Sequence, residues 1–138
     1  MDGLPLSCRP RKKSSRFRLR PNGSVLLDVY SLTAFNRHEE SSSYGINLLD
    51  GFWSPEKYYG FRNVFKYDDD KVVLDKYTIV EPLRTRTVTN WLQHFSAESL
   101  RHEFKEAGFH NITLYGDVAG APFDETAEEF AIVGKNYD

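Results

Sequence analysis

The hydrophobic pattern begins at SVLLDVY (residues 24–30), a near-continuous apolar run with β-branched residues. Such a run reads as a strand covered on both faces, as in a parallel sheet. Arg20-Pro-Asn-Gly23 just before it predicts a turn, because Pro fixes φ and Asn-Gly tolerates left-handed backbone. Asp28 interrupts the run. A buried carboxylate is costly unless paired, so Asp28 is expected at the open C-terminal end of the strand or beside a dedicated partner. Residues 31–62 show weak periodicity and many breakers, among them Ser41-Ser-Ser43, Gly45, Gly51, Pro55 and Gly60. They predict a short helix near residues 32–40 and then an aromatic-rich loop.

Alternation returns at residues 63–67 and 71–80, either side of the polar turn Asp68-Asp-Asp70, and again at 84–93. These three runs predict an antiparallel meander. Ser96 is a natural N-cap, Ala97, Leu100, Phe104 and Ala107 share one helical face, and Gly108 stands where the helix should stop. Residues 111–118 and 128–135 read as strands joined by a loop with Gly116, Gly120 and Pro122, which suits an antiparallel closing pair.

Composition changes this picture in few places. Aromatic residues make up 14% of the 138, enough large rings to favour a sheet-rich domain. The net charge of -2 points to no polyanionic partner for the chain as a whole. Residues 1–20 are the exception, with Arg9, Arg11, Lys12, Lys13, Arg16, Arg18 and Arg20 against Asp2 alone. They predict a solvated, disordered tail, with nucleic-acid association as the alternative use of the charge. Cys8 is the only cysteine, so no intrachain disulfide forms and a reducing cytoplasm is the expected compartment. No apolar stretch approaches the roughly 18 residues a membrane span needs, so no membrane partner is expected.

Several chemistries find no support. Asp68-Asp-Asp70 lacks further ligands at loop spacing, and His94, His102 and His110 recur every eight residues where helical metal ligands need three or four. No metal is therefore assigned. No nucleophile elbow or phosphate loop is present, which leaves hydrolase and nucleotide-triphosphatase readings without a motif.

Four segments in order carry a resemblance. LRPNGSVLLDVYS (19–31) resembles the basic-proline-glycine turn and fifth strand of class I S-adenosylmethionine (SAM)-dependent methyltransferases. WLQHFSAESLRHEFKEAGF (91–109) is similar to their late helix ending in AGF, and LYGDVAGAPFDETAEEFAIVGK (114–135) to their last two strands. DGFWSPEKYYGFRNVFKYDDDKVVLDKYTIVE (50–81) resembles the extra β cap of a bacterial subgroup, a segment that shapes the acceptor pocket.

The resemblance implies an α/β class, α+β in content: the C-terminal part of a Rossmann-like methyltransferase sheet with an inserted antiparallel cap at about residues 44–93. The domain would run over 21–138, after the tail at 1–20. The implied activity is methyl transfer from SAM to a small-molecule acceptor. The glycine turn that would hold SAM is not encoded, since no two glycines are separated by one residue. The chain is therefore expected to be truncated, inactive by itself and unable to bind SAM alone. Its expected partners are the acceptor and either a complementing N-terminal half or a second copy joined at the open strand edge. A non-catalytic binding or oligomerisation module is the alternative reading.

Asp28 and Tyr30 alternate on one strand and share a face, and in the resembled fold the end of that strand borders the active cleft. Asp28 is thus the candidate catalytic residue and Tyr30 a candidate acceptor contact. Trp53, Tyr58 and Tyr59 are further candidates, because aromatic faces hold planar or cationic groups, with packing inside the cap as their other use. Asp117, in the loop Gly116-Asp-Val-Ala-Gly120, either approaches the acceptor or orders its own turn.

Overall fold

The computed structural model of the chain describes residues 19–136. Most of the basic tail, Cys8 included, lies outside the described residues. Two compact units are present, one combining residues up to Asn36 with those from Gln93 onward, the other formed by Arg37–Leu92.

In the first unit Asn22 takes a φ of 60° before Gly23, so the left-handed position in the predicted turn falls on the asparagine. Gly23 N–H donates to Arg20 O (2.8 Å) and closes it. Strand β1 (Ser24–Ser31) follows and runs directly into the short helix α1 (Leu32–Arg37). Helix α2 (Ala97–Glu106) begins at Ser96, whose Oγ accepts from Ser99 N–H (2.9 Å) while Ser99 Oγ accepts from Ser96 N–H (3.0 Å). Gly108, at φ 87°, ends it. Strands β6 (His110–Tyr115) and β7 (Glu129–Lys135) pair antiparallel, as the loop between them implied.

Within this unit the strand order is β5, β1, β7, β6, with only the end of β5 (Thr85–Phe95) taking part. β1 pairs antiparallel with β7 along Ser24 to Tyr30, and parallel with β5 only at Tyr30–His94 and Ser31–Phe95. The core lies where Leu100 and Phe104 of α2 meet Phe109, Phe130 and Ile132. Gly134 permits this approach: a Cβ there would lie 2.7 Å from Phe104 Cδ1.

The second unit orders its strands β2 (Ser41–Ile46), β3 (Tyr59–Tyr67), β4 (Val72–Val80) and the first part of β5. The meander expected from residue 63 onward thus has a fourth strand, β2, where the sequence read as loop, and β3 starts four residues earlier than residue 63. Pairing supplies what propensity lacks: all six residues of β2 find partners in β3, from Ser41–Val64 to Ile46–Tyr59. One sheet face is closed by the segment between β2 and β3, with Leu48, Trp53 and Tyr58 over Tyr77, Ile79 and Val88. Gly60 makes room for it, since a Cβ there would sit 2.6 Å from Leu48 Cβ.

One expectation needs correction. β1 is not covered on both faces: Leu26 and Leu27 remain 49% and 45% exposed. The strand has one long neighbour, β7, and short contact with β5, so most of its second edge meets no strand among the described residues.

Candidate functional site

Parallel pairing of β1 with β5 brings their carboxyl ends side by side, and three rings gather there. His94 is buried between Tyr30, at 5.6 Å between centroids and tilted by 32°, and Phe35 of α1, at 5.4 Å and edge-on. Tyr30 itself stays 41% exposed. Ser31 fixes the junction: its Oγ–H donates to Ala127 O (2.6 Å), its Oγ accepts from Ala34 N–H (3.2 Å), and its N–H donates to Glu128 O (2.8 Å). The result is an accessible phenol on a rigid aromatic support, able to stack on a planar or cationic group and to hydrogen-bond it.

Asp28 is on the same face as Tyr30, two residues earlier, as its spacing required. It is exposed, opposite Ala131 of β7, and its carboxylate makes no hydrogen bond or ion pair among the described residues. Of the two placements expected for it, the open end of the strand or a dedicated partner, the partner is not found among the described residues, and the carboxylate stays in water because the face of β1 that carries it is open. Asp117 orders its own turn, with Oδ1 accepting from Ala119 N–H (2.9 Å) and Ala121 N–H (3.0 Å).

The other candidates belong to the second unit. Tyr58 is buried in its core and its hydroxyl donates to Leu48 O. Trp53 stacks on Tyr77 (5.1 Å) and meets Phe52 edge-on (4.9 Å), while its buried Nε1 has no hydrogen-bond partner among the described residues. Arg86 lies over the Trp53 ring (5.9 Å), and its Nη2 donates to Trp53 O. Arg86 also reaches Glu81 Oε2 (3.3 Å), which Arg84 Nε holds at 2.5 Å. Tyr59 is on the opposite face of the sheet from this cluster, as the next residue of one strand must be.

A second polar group stands on β3 and β4. Arg62 Nε and Nη2 donate to the two oxygens of Asp75, each at 2.8 Å, and Tyr77 Oη donates to Asp75 Oδ2 (3.1 Å). The hydrogen bond to Asp75 raises the Arg62 pKa, and burial, followed by the Asp75 charge, raises that of the Tyr77 phenol.

Sequence reasoning missed the role of His94, weighing it only as a metal ligand; its place at the end of a strand, two residues before an N-cap, was the available signal. Arg62–Asp75 could not be read without the register. Among the described residues no group of three or more His, Cys, Asp or Glu side chains converges on a metal-sized site.

These residues do not fit SAM. A dinucleotide-type cradle needs free backbone N–H groups at a glycine turn between a strand and a helix. At the direct strand-to-helix junction found among the described residues, β1 to α1, the turn is made by Ser31, whose Oγ already takes the Ala34 N–H. The glycines with positive φ, Gly51, Gly108 and Gly120, stand elsewhere.

The fold is methyltransferase-like. No protein-family model and no curated protein matches the sequence. Among solved structures, the CcbJ methyltransferase from Streptomyces caelestis is similar over 89% of this chain and 47% of its own, with a TM-score of 0.59 and 14% identity. A SAM-dependent methyltransferase from Clostridium acetobutylicum ATCC 824 is similar over 89% of this chain and 48% of its own, with a TM-score of 0.60 and 11% identity. The chain thus spans about half the length of these structures.

Proposed function

We propose that this chain is the acceptor-side, C-terminal portion of a bacterial SAM-dependent methyltransferase acting on a small molecule, and that other residues supply the SAM cradle. The observation that carries the reading is Tyr30 on its His94 support at the carboxyl ends of parallel β1 and β5, within a methyltransferase-like fold. Open α/β sheets take ligands at that end of their strands. Tyr30 orients the acceptor, and orientation is the protein's main contribution when a small group moves between two bound molecules. Asp28, open to water, lacks the water-poor surroundings a carboxylate base needs, and the reading gives it no proton to carry.

The Arg37–Leu92 unit corresponds in this reading to the inserted β cap of a Rossmann-like sheet, with Trp53, beside Arg86, as its candidate acceptor contact. The open edge of β1 accepts a parallel strand from the SAM-binding half. No helix among the described residues is long and apolar enough to cross a membrane, and the cytoplasm is the compartment we assign on the lone Cys8.

Isothermal titration of the 138-residue chain with SAM tests the proposal. The expected result is no binding by the chain alone, and saturable binding once a glycine-turn half of roughly a hundred residues is supplied in trans or by fusion, because that half rebuilds the dinucleotide-type part of the sheet. Saturable binding by the chain alone, lost on unfolding, would overturn it.

A further inference from the structure

We infer that the open face of the β2–β3–β4 sheet is a self-association surface, occupied by the same face of a second copy of this chain. The inference does not rest on the methyl-transfer reading.

The register assigns the face. Ile46, Tyr59 and Val80 form one cross-strand row, Tyr44, Phe61 and Thr78 the next, then Ser42, Asn63 and Lys76, and last Phe65 with Leu74. The opposite face is the one closed by Leu48, Trp53 and Tyr58. On this face the large apolar groups of β2 and β3 are exposed, Tyr44 by 77%, Ile46 by 58%, Tyr59 by 47%, and Phe61 and Phe65 by 41% each, while Leu74 of β4 is buried. Tyr44 and Phe61 stack at 6.0 Å, so the patch is already ordered.

Size and composition match an interface. Aromatic side chains present about 150–250 Å² each, so four rings and an isoleucine at these exposures offer several hundred Å² of contiguous apolar surface. Patches of that order mark interaction sites, and a standard interface needs roughly 800 Å² per partner, within reach once the intervening Thr78, Ser42 and Asn63 are included. The face has the aromatic enrichment of an interface core, with Lys76 at its β4 side and Lys57 over the Tyr59 ring. β2, SSSYGI, carries neither a charge nor a proline that would oppose a neighbour.

Charge then selects the second copy and its orientation. Glu40 precedes Ser41 at one end of β2, and Lys57 lies over the Tyr59 ring (6.0 Å), beside Ile46 at the other end. A two-fold axis in the plane of the sheet and across the strands lays each acid end over the partner's basic end. An axis along the strands would leave the acid ends of both copies at the same end of the interface and the basic ends at the other. Isologous contact of the first kind is self-complementary in shape and charge.

Light scattering on the 138-residue chain at micromolar concentrations tests this. A dimer of twice the 16.0 kDa chain mass is expected. Tyr44→Lys with Ile46→Lys should weaken it at least tenfold, while Leu26→Lys on β1 leaves it unchanged. Glu40→Lys alone should weaken association severalfold, and Glu40→Lys with Lys57→Glu should restore it, a rescue that loss of folding cannot mimic. A monomer across the concentration range overturns the inference. So does a dimer that survives the Tyr44/Ile46 change but yields to Leu26→Lys, or one that the double charge exchange fails to restore.

Discussion

Glu81 shows how a single carboxylate ties a turn to the aromatic core beside it. The hydrogen bond from Arg84, followed by that from Ser54, pulls its pKa from the ordinary 4.5 down to about 2. Arg86, bound to the same carboxylate, reaches over Trp53, so the charge of Glu81 helps hold the segment that covers the sheet. Because the folded pKa lies below the unfolded one, the stabilisation is complete above about pH 4.5 and is lost as pH falls toward 2. Urea unfolding should therefore show Glu81→Gln less stable than the wild type near neutral pH, with the gap closing steadily below pH 4.5. A gap that stays constant down to about pH 2 would assign Glu81 no electrostatic part, since linkage requires the charge-dependent part of the difference to shrink as the carboxylate takes up its proton.

Among the elements, α2 was the most legible, because its signals are local. Ser96, the Leu100/Phe104 face and Gly108 each act within a few residues of one another, and all three occupy the places their chemistry demands. Ser96→Ala should lower stability by about 1 kcal/mol, the usual loss when an N-cap oxygen is removed. A thermal-denaturation midpoint unchanged by the substitution would show the cap to be dispensable. β2 was illegible for the opposite reason. Serines and glycine carry no strand signal of their own, and the strand exists because β3 offers it a complete ladder, from Ser41–Val64 to Ile46–Tyr59. The start of β3 was hidden in the same way, as Tyr59 and Gly60 are strand residues only once Ile46 and Gly45 stand opposite them. The candidate site divides along the same line. Asp28 and Tyr30 share a face because strands alternate, which sequence shows, whereas the pairing of Tyr30 with His94 joins residues 64 positions apart and depends on the fold.

For the whole molecule, the consequence of greatest reach lies in β1. A strand at the centre of a parallel-type sheet is apolar on both faces because both are normally covered. β1 has that composition, but its described surroundings cover little more than the β7 side, and Leu26 and Leu27 are left half-exposed. Backbone groups on the β7 side are held in a full antiparallel ladder; alternate groups on the other edge, from Ser24 to Val29, have no strand to bond among the described residues. Such an edge is a template for another strand. Amide hydrogen exchange separates the two sides, because N–H groups within a ladder exchange only through opening, while those facing solvent exchange at once. In the 138-residue chain, every second amide from Ser24 to Val29 should exchange rapidly and those between them slowly. On adding the complementing SAM-binding half, the rapid set should become protected, while the amides of β2, in the other unit, keep their rates. Uniform protection of β1 in the isolated chain would show that its second edge is already occupied, by a second copy or by residues outside 19–136, and would remove the proposed docking edge.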